Sequence, residues 1–247
     1  MKYLVVLCAL VAASQCKVLP ERVTNILCSR NDPDYNACTR KAFEKSIPIL
    51  VKGIPEINMP PIDPLELPFM SVDRTINELV SIKAVMKNIK VLGASNIIIE
   101  DTKANPHNYT AEMRITLPWT HLDMDYDAVG QLLIIPLRSK GFFSGNFTNT
   151  QIYAKGNLKL VDKNGVKYFQ VDKYNMKIRV GDGEIKLIAD NPDLQFGADL
   201  IANFYNENPR RVMDAVNPIF VETATDLYRV ILNQVLATIP AKELLPE

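Results

Sequence analysis

The 247 residues carry 28 Lys and Arg against 28 Asp and Glu, for a formal net charge of zero, and 47 % of them are hydrophobic. A near-neutral chain with scattered charge has no electrostatic footprint for nucleic acid and no polybasic segment for an anionic lipid surface. The apolar content suffices for a sizeable core, in one large domain or two small ones.

The chain opens with Met1 and Lys2, followed by an apolar run from Tyr3 to Ala13. One basic residue, a short greasy stretch and small residues predict a secretory signal over 1–16. Cleavage is expected after Cys16, with Ser14 as the alternative position. The run is too short to span a bilayer, which takes roughly 20 apolar residues, and no later segment is longer. Residues 17–247 are then read as one domain, outside the cell and without stable membrane insertion. Cys8 and Cys16 leave with the signal. Cys28 and Cys38 remain, separated by a segment rich in turn formers, and are expected to form a disulfide.

Residues 36–52 read as a short helix with Pro48 inside it. The proline-dense run from Gly53 to Pro68 keeps apolar Ile54, Ile57, Met59, Ile62, Leu65 and Leu67, so it reads as an extended strap lying on the body. From about 71 to 190 the pattern is a meander of antiparallel strands, expected at 78–91, 95–103, 109–117, 119–137, 143–161, 166–179 and 184–190. In His121 to Asp127, apolar Leu122, Met124 and Tyr126 alternate with Asp123, Asp125 and Asp127; period two gives one greasy and one wet face. Asn105-Pro106, Ser144-Gly145, Asn164-Gly165 and Gly181 to Gly183 read as turns, and Asp162 to Gly165 as a hairpin.

After Pro192 the period becomes helical, over 197–206 and 208–238. Met213, Val216, Phe220, Thr223, Leu227, Ile231 and Val235 make a stripe at three-four spacing. Pro218 is expected to kink this helix or mark its start. Some 30 residues at about 1.5 Å each make a rod of roughly 45 Å. A filled core and a lined cavity both produce such a stripe. The length favours a curved sheet around the helix, with Val216, Phe220, Leu227 and Ile231 facing a cavity. From the sheet, Met124 and Tyr126 point inward. Trp119, after Pro118, is placed in the sheet interior, where it is a possible ligand contact.

No residue set carries chemistry. Asp123, Asp125 and Asp127 mimic the start of a calcium loop, but Ala128 and Ile134 stand where glycine and glutamate are required. Ser144 is not centred between glycines as a nucleophile elbow demands. His107 and His121 are the only histidines and belong to no acid–nucleophile set. No catalytic residue, metal or cofactor is expected. Asn108-Tyr-Thr110 and Asn146-Phe-Thr148 are N-glycosylation sequons.

Several of these features occur together in a known family. The short signal, the Cys28/Cys38 pair, the run from Gly53-Ile-Pro55 to Asp63-Pro64-Leu65, Phe204-Tyr-Asn206, Asn217-Pro218-Ile219 and the stretch from Ile239-Pro240 to Pro246 resemble the insect haemolymph juvenile hormone-binding and takeout-like proteins. The absence of a second cysteine pair favours the takeout-like branch. Leu245 stands where the closing motif often has an aromatic residue. The resemblance implies an α+β fold: a strongly curved antiparallel sheet wrapped around one long C-terminal helix, with an internal hydrophobic tunnel. It also implies secreted carriers found in haemolymph or other extracellular fluid.

The expectation is therefore a monomeric secreted carrier, not an enzyme. Its partner is a small hydrophobic ligand such as a juvenile hormone-like terpenoid, a fatty acid or another lipid. A lipid-transfer protein working at membranes is the alternative, although the sequence shows no basic or aromatic docking tip. A secreted ester hydrolase is less well supported, for want of a catalytic set.

Overall fold

The computed structural model describes residues 19–77, 80–132 and 135–247; the expected signal at 1–16 and Ile134 lie outside them. In chain order come α1 (Glu21–Thr24), α2 (Tyr35–Lys52), β1 (Leu65–Asn77), β2 (Val80–Leu92), β3 (Ile98–Asn105), β4 (Thr110–Leu132), β5 (Ile135–Lys163), β6 (Val166–Arg179), β7 (Asp182–Ala189), α3 (Gln195–Glu207), α4 (Pro209–Leu236) and α5 (Ala241–Leu244).

All strand pairings are antiparallel. Two long strands form the spine, with β4 and β5 paired from Thr110↔Asn157 to Leu132↔Ile135. Along the free edge of β4, β3 and β2 lie end to end. Along the free edge of β5, β6 and β7 do the same. β1 adds a further row beyond β2. The expected strands 109–117 and 119–137 merge into β4, which ends at Leu132; 135–137 belong instead to β5, so the expected 143–161 begins eight residues earlier, at Ile135. Ser144-Gly145 is mid-strand rather than a turn: the rings of Phe143 and Phe147 close over Gly145, where a Cβ would lie 2.9 Å from each. The strap at 53–68 is shorter than expected, because its last residues already belong to β1, a strand the proline density conceals. The hairpin at 162–165 stands as read, with Asn164 and Gly165 both at positive φ (54° and 81°).

A crease crosses the spine. Leu117 pairs with Thr150 and Trp119 with Thr148, but Pro118 and Asn149 between them do not pair. Proline has no N–H to give, and Asn149 sits in the left-handed region at φ 51°. The flanking strands break on the same line. Gly93, after β2, lies so close to the Trp119 carbonyl that a Cβ there would clash. Gly181, between β6 and β7, donates its N–H to the Thr148 carbonyl. Below the crease the apolar residues of β4 are odd-numbered (Met113, Ile115, Leu117); above it they are even-numbered (Leu122, Met124, Tyr126). The register does not change. The sheet therefore twists over at this line, and a different alternating set meets the helices.

The helices pack on the concave side and at one end. α3 lays Ala198 and Ala202 on Tyr126 and Leu187. α4 starts against Tyr205 and ends against Phe169 and Val171 of β6. Beside that end the segment from Leu19 onward meets the C-terminal segment: Leu19, Val23, Ile54, Ile57 and Ile239 form one cluster. α2 is fixed to β3 by Arg40, which donates to the Ile99 carbonyl at 3.1 Å, and by the Asn36 side chain, which accepts from the Ala104 N–H at 2.7 Å. Cys28 and Cys38 are joined as a disulfide, tying the N-terminal segment to α2.

Candidate functional site

The apolar stripe of α4 is sealed at both ends and open in the middle. Val212 is buried among Tyr205, Phe147 and Ile185, and Ile219 is also buried. At the other end Leu236 is buried against Phe169 and Val171, and the Asn233 side chain accepts from the Val171 N–H at 2.9 Å. Between these ends Phe220 is 50 % and Val230 52 % exposed, while Leu227 and Ile231 are half-buried.

The open stretch faces apolar sheet. Met70 of β1 pairs with Met86 of β2, and Met86 with Tyr126 of β4. In the next row Val72 pairs with Ala84, and Ala84 with Ala128. Between β1 and α4 lies a cleft of about 290 Å³ lined by Met70, Val72, Thr223, Leu227 and Val230, with Arg74 and Asp226 at its polar edge. Arg74 also forms a 2.9 Å ion pair with Glu222, which links the sheet edge to the helix. That pair holds the guanidinium pKa above its ordinary value.

Buried hydrophobic side chains fall into separate small clusters, and no large side chain among the described residues is fully enclosed. A filled domain of this size would have one contiguous core. Tyr228 is 39 % exposed, yet burial raises the pKa of its phenol. On β6, burial and then the neighbouring Tyr228 push Tyr174 up to about 12.

The expected contacts divide. Leu227 lines the cleft. Ile231 is half-buried on the same helix face, and Val216 packs at the sealed end beside Phe147 and Ile185. Phe220 is not covered by the sheet as expected; it lies on the open stretch, because the sheet edge at β1 reaches only part of the helix. Met124 is half-buried on the inner face. Tyr126 points inward too, but α3 covers it and its hydroxyl pairs with Ser139 Oγ at 2.6 Å, so it is core. Trp119 is not in the interior. It is 41 % exposed on the convex face, since the crease turns odd-numbered residues outward above Pro118. Val230, which widens the helical stripe, lines the cleft with Met70 and Val72, and the last two lie in a strand the proline density conceals. The alternation of Met70, Val72 and Arg74 with Ser71 and Asp73 was the available signal.

The sequence profile described as "Haemolymph juvenile hormone binding protein (JHBP)" matches residues 4–246. The chain belongs to this family. Its resemblance is to the takeout-like members. Takeout 1 of Epiphyas postvittana superposes with a TM-score of 0.70 at 22 % identity, over 90 % of this chain and 99 % of that one. The curled sheet with its long C-terminal helix is thus the takeout fold. The circadian clock-controlled protein daywake of Drosophila yakuba is 25 % identical over 202 residues, covering 78 % of this chain and 76 % of the relative. Daywake of Drosophila melanogaster is 23 % identical, covering 77 % and 76 %.

Proposed function

We propose that this family member is a secreted, non-enzymatic carrier that holds a small hydrophobic ligand between α4 and the inner face of the sheet. The observation that carries the reading is the half-open apolar stripe over an apolar cleft. Apolar surface left in water in the middle of an otherwise sealed helix is stabilised when a ligand covers it, at roughly 25 cal/mol per Å². The cleft lies near the lower end of the roughly 300–1,000 Å³ usual for small-molecule pockets. An elongated terpenoid or fatty acyl chain fits a groove running along a helix. The family's printed description, a juvenile hormone binding protein, supports the terpenoid class. The disulfide and the apolar N-terminus support export.

The test is native mass spectrometry of protein recovered from the medium of insect cells, before and after delipidation, followed by titration with an isoprenoid and a fatty acid. Uptake of one ligand per chain is expected. Delipidated protein that takes up neither sinks the reading.

A second reading, lipid transfer at membranes, gains one observation. Leu194, Phe196 and Leu200 are 46 %, 82 % and 53 % exposed on and just before α3. Exposed apolar groups of this kind mark contact sites. Co-sedimentation with neutral vesicles that is lost in Phe196→Ser supports transfer; no sedimentation leaves the soluble carrier.

A further inference from the structure

The convex face above the crease carries the chain's single tryptophan, Trp119, at 41 % exposure. Its ring lies nearly parallel to His121, at 10° with centroids 6.1 Å apart. Both rings border one sequon. Trp119 pairs across the ladder with Thr148, and His121 with Asn146. His121 is held from both sides: Nδ1 lies 2.8 Å from Asn146 Oδ1, and Nε2 lies 3.0 Å from Asp123 Oδ1. The contact engages the amide oxygen of Asn146 and not its amide nitrogen. An N-glycan is attached through that nitrogen.

We propose that Asn146 is a glycosylated residue whose first N-acetylglucosamine packs on the Trp119–His121 surface. The proposal rests on the reading of the chain as secreted. A lipid-linked oligosaccharide supplies the sugar: the bond from C1 to its diphosphate leaving group breaks, the Nδ2–C1 bond forms, and one amide proton is lost. The indole face is electron-rich and meets the C–H face of a sugar ring favourably. The attachment removes from water part of the indole that the sheet leaves uncovered. The other sequon has no such surface. Asn108 sits in a turn where its N–H donates to Asn105 Oδ1, and the next ring, Tyr109, packs edge-on against Phe169.

The test uses the full chain secreted from insect cells. Intact glycopeptide mass spectrometry is expected to find Asn146 occupied. Thr148→Val, which keeps the β-branched shape and destroys the sequon, should red-shift tryptophan emission and raise acrylamide quenching about twofold as the indole loses its cover. Asn146→Gln gives the same readout if Thr148→Val folds poorly. Asn108→Gln should leave the fluorescence unchanged. A bare Asn146 in secreted, lipid-binding protein overturns this proposal alone. So does an occupied Asn146 with quenching unaffected by loss of the sequon. Absence of the protein from the medium overturns this proposal together with the carrier reading.

Discussion

Pro118 stands opposite Asn149 where the β4–β5 ladder is interrupted, and the apolar phase of β4 changes across that pair. Asn149 holds its left-handed φ of 51° on an exposed stretch, so backbone conformation, not packing, decides what the position tolerates. Asn149→Val should cost about 1–2 kcal/mol, because a β-branched residue is strained there, while Asn149→Gly should be near neutral. Urea midpoints check this. Equal midpoints for the two variants would remove the crease as a conformational requirement.

That relationship also shows what can be read from the chain. Met113, Ile115 and Leu117 followed by Leu122, Met124 and Tyr126 reveal a phase change, and Pro118 supplies a breaker, so two strands are the natural reading. That one strand continues through the break depends on Asn149, thirty-one residues away, and a period carries no such information. β1 was hidden differently, by Pro60, Pro61, Pro64 and Pro68 masking an alternation that starts at once. The switch from period two to a long helical stripe pointed to a sheet curled around a helix, and the family resemblance made that fold class specific. The cleft was only partly legible: three-four spacing identifies a helix face but not what covers it, so Leu227 and Phe220 looked equivalent although only Leu227 lines the cleft.

The strand alternation above the crease predicts a sharp contrast between neighbours. Met124 is half-buried on the inner face, whereas Asp125 is exposed and accepts from Asn88 Nδ2 at 2.6 Å. Met124→Asp should cost about 3 kcal/mol or more through a poorly solvated carboxylate. Asp125→Asn keeps an acceptor for Asn88 and should change stability by less than about 0.5 kcal/mol. The opposite ranking in thermal melts would reverse the assignment of faces.

The Cys28–Cys38 bridge closes a loop with a sequence separation of 10. Chain entropy for a loop of that size gives about 3 kcal/mol. Labelling of unreduced, unfolded protein should find no thiol from this pair, and Cys28→Ser with Cys38→Ser should lower the urea midpoint accordingly. A double variant as stable as the parent would mean the bridge constrains nothing.

Buried phenols make the protein sensitive to alkali. Burial pushes Tyr174 and Tyr205 up to about 12, above the roughly 10 of an unfolded tyrosine. The folded state keeps these protons where the unfolded state loses them. Their contribution is therefore whole below about pH 10 and declines as pH rises towards about 12. Absorbance at 295 nm should show late-titrating phenols, and Tyr174→Phe should flatten the alkaline loss. The Tyr205 hydroxyl is buried without a hydrogen-bond partner among the described residues. Tyr205→Phe should therefore leave neutral-pH stability unchanged or improved as well. Titration of every phenol near pH 10 in native protein would contradict this.

Adjacent residues of α4 separate the sealed core from the open groove. Ile219 is 7 % exposed and Phe220 is 50 % exposed. Ile219→Ala should cost about 2–5 kcal/mol and alter ligand affinity little. Phe220→Ala removes more carbon but should cost well under the roughly 3–5 kcal/mol of a truncated core phenylalanine, because half of its surface is already in water. It should instead weaken binding of an apolar fluorescent probe. Bulk provides the complementary test. Leu227 lines the cleft, so Leu227→Trp should fill it and block the probe while the fold melts as before. Val216 is unsuitable for this, since it packs at the sealed end and a larger side chain would strain the core. If Phe220→Ala destabilises as much as Ile219→Ala, and Leu227→Trp binds the probe as the parent does, the middle of the stripe is ordinary core and the groove holds no ligand.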